Sequence, residues 1–228
     1  MQVGRRKMVL AGVLVLAGTL AASGQFGTGM RQPRMQGLWN PIVGSGGAYE
    51  IESKNDRGER KTQMEIAVVG SETVDGKPGY WVEMAFAEPR GGGQAYIKHL
   101  IVLDGKQTSI KRMIMQPPGQ GPMEFPATMI QRSQPTEQPA DIRDRAERVG
   151  TESVTTPAGT FTCEHYRMKD GSADAWISEK VAPWGVVKTT GPESNMTLAR
   201  LITNAKTHIT GTPVKFDPME MMRQRNKQ

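Results

Sequence analysis

The chain is expected to be a mainly β protein of the α+β class, built on a single antiparallel sheet. Three observations lead there. Between Tyr49 and Ile202, short runs alternate apolar and polar residues, the period-two pattern of half-buried strands. Those runs are punctuated by Asp75-Gly76, Asp104-Gly105 and Asp170-Gly171, dipeptides suited to the positive φ angles of tight hairpin turns. The 228 residues hold one cysteine, Cys163, so no internal disulfide can staple the fold and an apolar core must hold it.

The first element precedes the sheet. Arg5, Arg6 and Lys7 lead into a 15-residue apolar run, Met8 to Ala22, followed by the small residues Ser23 and Gly24. That is the layout of a secretory signal peptide over residues 1–24, cleaved near residues 22–25. The run is shorter than the roughly 18–20 apolar residues that span a bilayer. The Arg5-Arg6 pair also fits a twin-arginine signal, although an ordinary basic leader contains the same residues. Removing residues 1–24 leaves 204 residues with no second long apolar run, so a soluble, periplasmic mature chain without a transmembrane span is expected. It also lowers the net charge from +6 to +3, which weakens any nucleic-acid reading built on basicity. No cysteine follows the expected cut, so a lipid anchor is not expected.

Residues 25–47, rich in Gly, Gln, Pro and Ser, are expected to form a flexible leader, with Trp39 of the Leu38–Ile42 stretch packing on the domain edge. Residues 48–210 are expected to be the β-rich domain. In YWVEMAF, Tyr80, Val82, Met84 and Phe86 share one strand face, and Trp81, Glu83 and Ala85 share the other. Gln116 to Pro139 carries six prolines and cannot be sheet interior, so a long crossing loop is expected there. Pro139 to Val149 has a proline first, acids early and arginines late, which predicts a helix, so residues 116–149 form a Pro-rich loop plus helix. The second half returns to strands, and residues 211–228 are expected to be a frayed basic tail.

Chemistry is sparse along this framework. Phe161, Cys163, His165 and Arg167 share one face of a strand, and Cys163 and His165 are near enough to touch. A catalytic thiol needs an activating neighbour such as a helix N-terminus, and usually a third group to orient the base, and nothing nearby in sequence supplies them. A half-buried structural strand is therefore expected. His99, His165 and His208 are far apart in sequence and match no metal-ligand spacing. There is no G-x-S-x-G elbow and no phosphate-binding glycine loop. No catalytic residue, metal or cofactor is expected.

One segment carries a resemblance. A strand is followed by Pro157, Ala158, Gly159 and Phe161, then by Cys163, then by Asp174, Trp176, Ile177 and Ser178, then by Pro183, Gly185, Val186, Val187 and Lys188. Together with the Y-x-I, M-x-I-A-V-V-G-x-E and G-Y-W-V-E-M stretches of the first half, this resembles uncharacterised periplasmic proteins related to the lipoprotein-carrier (LolA/LolB-like) superfamily, over roughly residues 48–202. The resemblance implies an open half-barrel: one strongly curved sheet whose concavity shelters acyl chains beneath a lid, here the Pro-rich segment and helix. It carries over no individual ligand residue.

The 15 methionines fit such a hollow, since a flexible, polarisable side chain suits varied apolar partners. The expected lining is Met64, Ile66, Tyr80, Val82, Met84, Phe86, Met113, Met123, Phe125 and Trp176. The expected function is non-enzymatic binding or carriage of a lipid, acyl chain or other apolar ligand. The alternative is an envelope protein–protein interaction or stress-sensing module without a small ligand. A third reading, a hydrolase or thiol enzyme, would use Cys163 and His165.

Overall fold

The structure is a computed structural model, and it describes residues 37–55, 58–87, 93–126, 128–130, 137–192 and 194–217. The expected signal peptide and most of the leader lie outside the described residues.

Among the described residues the chain forms one open, curved sheet of 13 strands, antiparallel except for a single parallel pairing at one edge. The first meander is β1 (Gly46–Asn55), β2 (Gly58–Val74), β3 (Lys77–Ala87), β4 (Gln94–Asp104) and β5 (Gln107–Gln116). Two short strands follow, β6 (Met123–Phe125) and β7 (Glu137–Pro139), and both pair with β5. The second meander is β8 (Ala146–Thr156), β9 (Gly159–Met168), β10 (Asp174–Ile177), β11 (Val186–Thr190) and β12 (Ser194–Ile202). β12 pairs with β1 and fuses the two meanders, while β13 (Val214–Lys215) runs parallel to β6 at the far edge. The Asp-Gly turns lie where the sequence places them: Asp75, Gly76, Gly105 and Gly171 all have positive φ.

Register converts alternation into two chemically different faces. Val68, Val82, His99, Met113 and Phe125 stand opposite one another across β2 to β6, and Ile66, Met84, Ile97 and Met115 form the adjacent row. Apart from His99, these rows belong to one large apolar cluster that also takes in Tyr49, Met196 and Leu198 of the central strands and Tyr166, Ala175 and Ile177 of the second meander. The opposite face carries a small cluster of Trp81, Leu100, Ile114 and Ile209.

The sheet curls toward the large cluster. Trp39 contacts Tyr80 of β3 edge-to-face at 6.2 Å and Trp184, just before β11, at 5.4 Å. Four strand spacings separate β3 from β11, about 19 Å on a flat sheet. Only strong curvature brings both within reach of one indole. The Tyr49 hydroxyl donates to the Val186 carbonyl at 3.0 Å, a second tie between the meanders. Close approach of β1 to β2 also needs glycine, for a Cβ on Gly46 would fall 2.1 Å from the Ile66 carbonyl oxygen.

The helix expected over Pro139–Val149 does not form. Asp141 accepts from the Arg143 N–H at 2.8 Å and caps one 3-10 turn, Ile142–Asp144, and β8 begins at Ala146. A proline first, acids early and arginines late are helix-end signals, which explains the expectation. Ten pairings with β9 outweigh that short pattern, and Val149 is left exposed beside a bulge. The Pro-rich segment contributes β6, one helical turn at residues 128–130 and β7, with residues 127 and 131–136 outside the described set. Within the stretch read as a tail, Val214–Lys215 forms β13, and residues 218–228 are outside the described set. Among the described residues, no helix is long and apolar enough to cross a membrane.

Candidate functional site

The concave face is the candidate site, and the meander builds it from the sequence's period-two pattern. Of the ten lining residues read from sequence, Met64, Ile66, Val82, Met84 and Met113 are buried together in the large cluster. Tyr80, Phe86 and Phe125 are partly buried and pack against it. Met123 is half-buried and pairs instead with Met115 and Val214. Trp176 packs at the cluster's margin, but its ring stacks on His165 at 4.4 Å and has the Lys188 ammonium 5.1 Å from its centroid.

Side chains from outside the two meanders cover this face. Ile130 and Ile142, both essentially fully buried, join the same cluster from the segment between β6 and β8, and Leu38 and Trp39 pack on it from the N-terminal side. Leu38 bridges to Asp141, so the two covering pieces are tied together. Isolated isoleucines in a proline-rich, charged stretch are the one signal that marked the cover.

His99 was not among the lining residues read from sequence. It sits in the row between Val82 and Met113, with Ile97 and Ile101 on either side along β4. It is buried, its Nε2 has no hydrogen-bond partner, and burial pushes its pKa down to about 4. A histidine where alternation calls for an apolar residue was the available signal.

The outer face is closed by a strap, residues 203–217, that crosses the first meander from β1 to β6. The Ala205 N–H donates to the Gly44 carbonyl, His208 stacks on Tyr96 at 5.0 Å, and the Phe216 N–H donates to the Glu124 carbonyl. Its clamp is Glu83, buried on β3, which accepts from the Thr207 hydroxyl at 2.5 Å and from the His208 N–H at 2.8 Å. Beside it lies a cleft of about 350 Å³ floored by Ala67, Val69 and Ala85. Arg112 extends this surface, bonding both Glu124 oxygens and covering Trp81 at 5.2 Å.

The opposite meander separates Cys163 from His165 chemically. His165 is bracketed by Glu152, 3.0 Å from Nδ1, and by Asp174, 2.7 Å from Nε2, so both ring nitrogens are engaged. Cys163 lies in the apolar cluster with its thiol donating weakly to the Phe161 carbonyl, and burial raises its pKa to about 11. A thiol so placed is almost wholly protonated at neutral pH. A thiol-reactive dye is therefore expected to label Cys163 in denaturant and not in the native protein. Stoichiometric labelling of folded protein within minutes at pH 7 would contradict this placement.

No family model matches the chain, and no curated protein matches it. Among solved structures it is similar to a Bacteroides fragilis protein assigned as exported and described as having a YmcC-like fold. The identity is 15%, the TM-score 0.35, and the match covers 73% of this chain and 99% of the other. It is also similar to a protein from Parabacteroides distasonis assigned as a lipoprotein, with 16% identity, a TM-score of 0.34, and coverage of 73% and 99%.

Proposed function

We propose that this is an exported, non-enzymatic binding protein whose concave face takes up a lipid, acyl chain or similar apolar ligand when its cover moves aside. Export rests on the basic and apolar leader of residues 1–24. Binding rests on one observation: a single curved sheet presents flexible Met64, Met84 and Met113 on the same face, beneath Ile130 and Ile142 from a non-sheet cover. Magnitudes favour exchange of cover for guest. Each isoleucine withdrawn from the cluster forfeits about 2–3 kcal/mol, while a chain of a dozen methylenes offers roughly 10 kcal/mol at about 0.8 kcal/mol each.

Protein purified from cells, extracted with organic solvent and analysed by mass spectrometry, is expected to release a stoichiometric lipid or to bind a fluorescent fatty acid saturably. Ile130→Ser, which loosens the cover, is expected to tighten binding of that probe by on the order of tenfold, because less closed state must be displaced. Clean protein with no saturable probe binding in either form would overturn the proposal.

The protein–protein alternative draws on β8, whose outer edge has no partner strand among the described residues. Exposed Glu147, Arg148 and Glu152 and the bulge beyond Arg148 guard that edge, as sheets commonly guard edges against stray pairing. Co-purification of one stoichiometric protein, with no lipid, would favour this reading.

A further inference from the structure

Two buried side-chain atoms among the described residues lack a hydrogen-bond partner, His99 Nε2 and Ser109 Oγ. Ser109 pairs with Val102, on the opposite face from His99. Among the described residues His99 therefore stands as the one orphan on the concave face, ringed by Val82, Ile97, Ile101 and Met113. A buried polar atom left unpaired is destabilising, and a leucine or methionine would fill the same space without that penalty. The closed state makes no use of the imidazole nitrogen.

We infer that His99 is the polar anchor of the ligand, which is an apolar chain ending in an uncharged O–H group: a long-chain alcohol or an un-ionised fatty acid. The inference rests on the binding reading above and specifies its ligand. The chemistry selects this head group for two reasons. A neutral imidazole Nε2 either donates or accepts, according to tautomer, and a hydroxyl or carboxylic O–H group does both, so it satisfies either form. An ionised head would have to lose its water against Val82 and the flanking isoleucines, where no opposite charge stands in the row. The depressed basicity of His99 agrees, because the ring stays neutral across the physiological range.

The test compares dodecanol with tridecane, equal in heavy-atom length, each delivered from cyclodextrin to the purified protein in competition with a fluorescent acyl probe. The wild-type preference for dodecanol is expected to fall by on the order of fivefold in His99→Leu, with tridecane binding retained. A second readout needs no variant: the His99 imidazole ¹⁵N resonances of the wild type should shift with dodecanol and stay in place with tridecane. Equal preference in both proteins, or unmoved resonances while both probes bind, would overturn the anchor and leave apolar binding standing. Failure of the wild type to bind either probe would overturn the binding reading and this inference with it.

Discussion

Glu83→Ala is expected to lower the unfolding free energy by about 3 kcal/mol, and the melting temperature by roughly 6–12 °C for a domain of this size. The carboxylate is 3% exposed and accepts from the Thr207 hydroxyl, the His208 backbone N–H and His208 Nδ1, the last at 2.9 Å. Those bonds hold the strap over the Trp81, Leu100, Ile114 and Ile209 cluster. Removing the acceptor strands several donors at once and loosens Ile209, so the loss exceeds that of one ordinary hydrogen bond. Exposed partners can be rehydrated, so Thr207→Val or His208→Ala should cost about 1 kcal/mol each and couple to Glu83 in a double-mutant cycle. Trypsin reports the same event locally: cleavage after exposed Lys206 should accelerate in Glu83→Ala well below the melting transition. Unchanged cleavage together with a melting shift under 2 °C would show that the strap is held by something other than this clamp.

Why Glu83 was missed as a clamp, while its strand was placed correctly, shows what the sequence could convey. Alternation in YWVEMAF assigns Tyr80, Val82, Met84 and Phe86 to one face and Trp81, Glu83 and Ala85 to the other, and pairing with β2 and β4 keeps that division. The Asp-Gly turns were legible because backbone geometry restricts them to a few residue types. Long-range partners were not. Nothing in Thr207-His208 announces a carboxylate 124 positions away, and Leu38 gives no local sign of its bridge to Asp141. The helix expected over 139–149 has the same origin: a leading proline, early acids and late arginines cannot reveal that β9 offers a strand partner. Which residues share the sheet's apolar face was visible in the period-two pattern. The burial of Ile130 and Ile142, and of the orphan His99 on β4, depended on how the chain folds onto that face.

The buried histidine His99 gives the second large effect, its own contribution to acid lability. His99 is fully buried among apolar side chains, and its pKa is lowered from 6.5 to about 4 by desolvation. Its folded-state pKa thus lies below its unfolded value. The neutral ring is favoured by the fold, and the unfolded chain binds the extra proton as pH falls below about 6.5. Stability from this group is therefore fully present at pH 7 and lost progressively toward pH 4. At about 1.4 kcal/mol per pKa unit, that loss amounts to about 3 kcal/mol. The carboxylates of Glu124, Asp141 and Glu164, held low by Arg112, Arg143 and Tyr166 respectively, have folded pKa values below their unfolded ones. Their stabilisation is lost at the acid end of the same range and below it, so it must be separated from that of His99. Urea unfolding of the wild type and His99→Leu at pH 7, 6, 5 and 4 achieves this, because the carboxylates are common to both proteins. The advantage of His99→Leu should widen by about 3 kcal/mol from pH 7 to pH 4, with most of the change complete before the carboxylates protonate. A constant difference across that range would mean that His99 is solvated or paired in solution, and the polar anchor would lose its physical basis along with the acid lability.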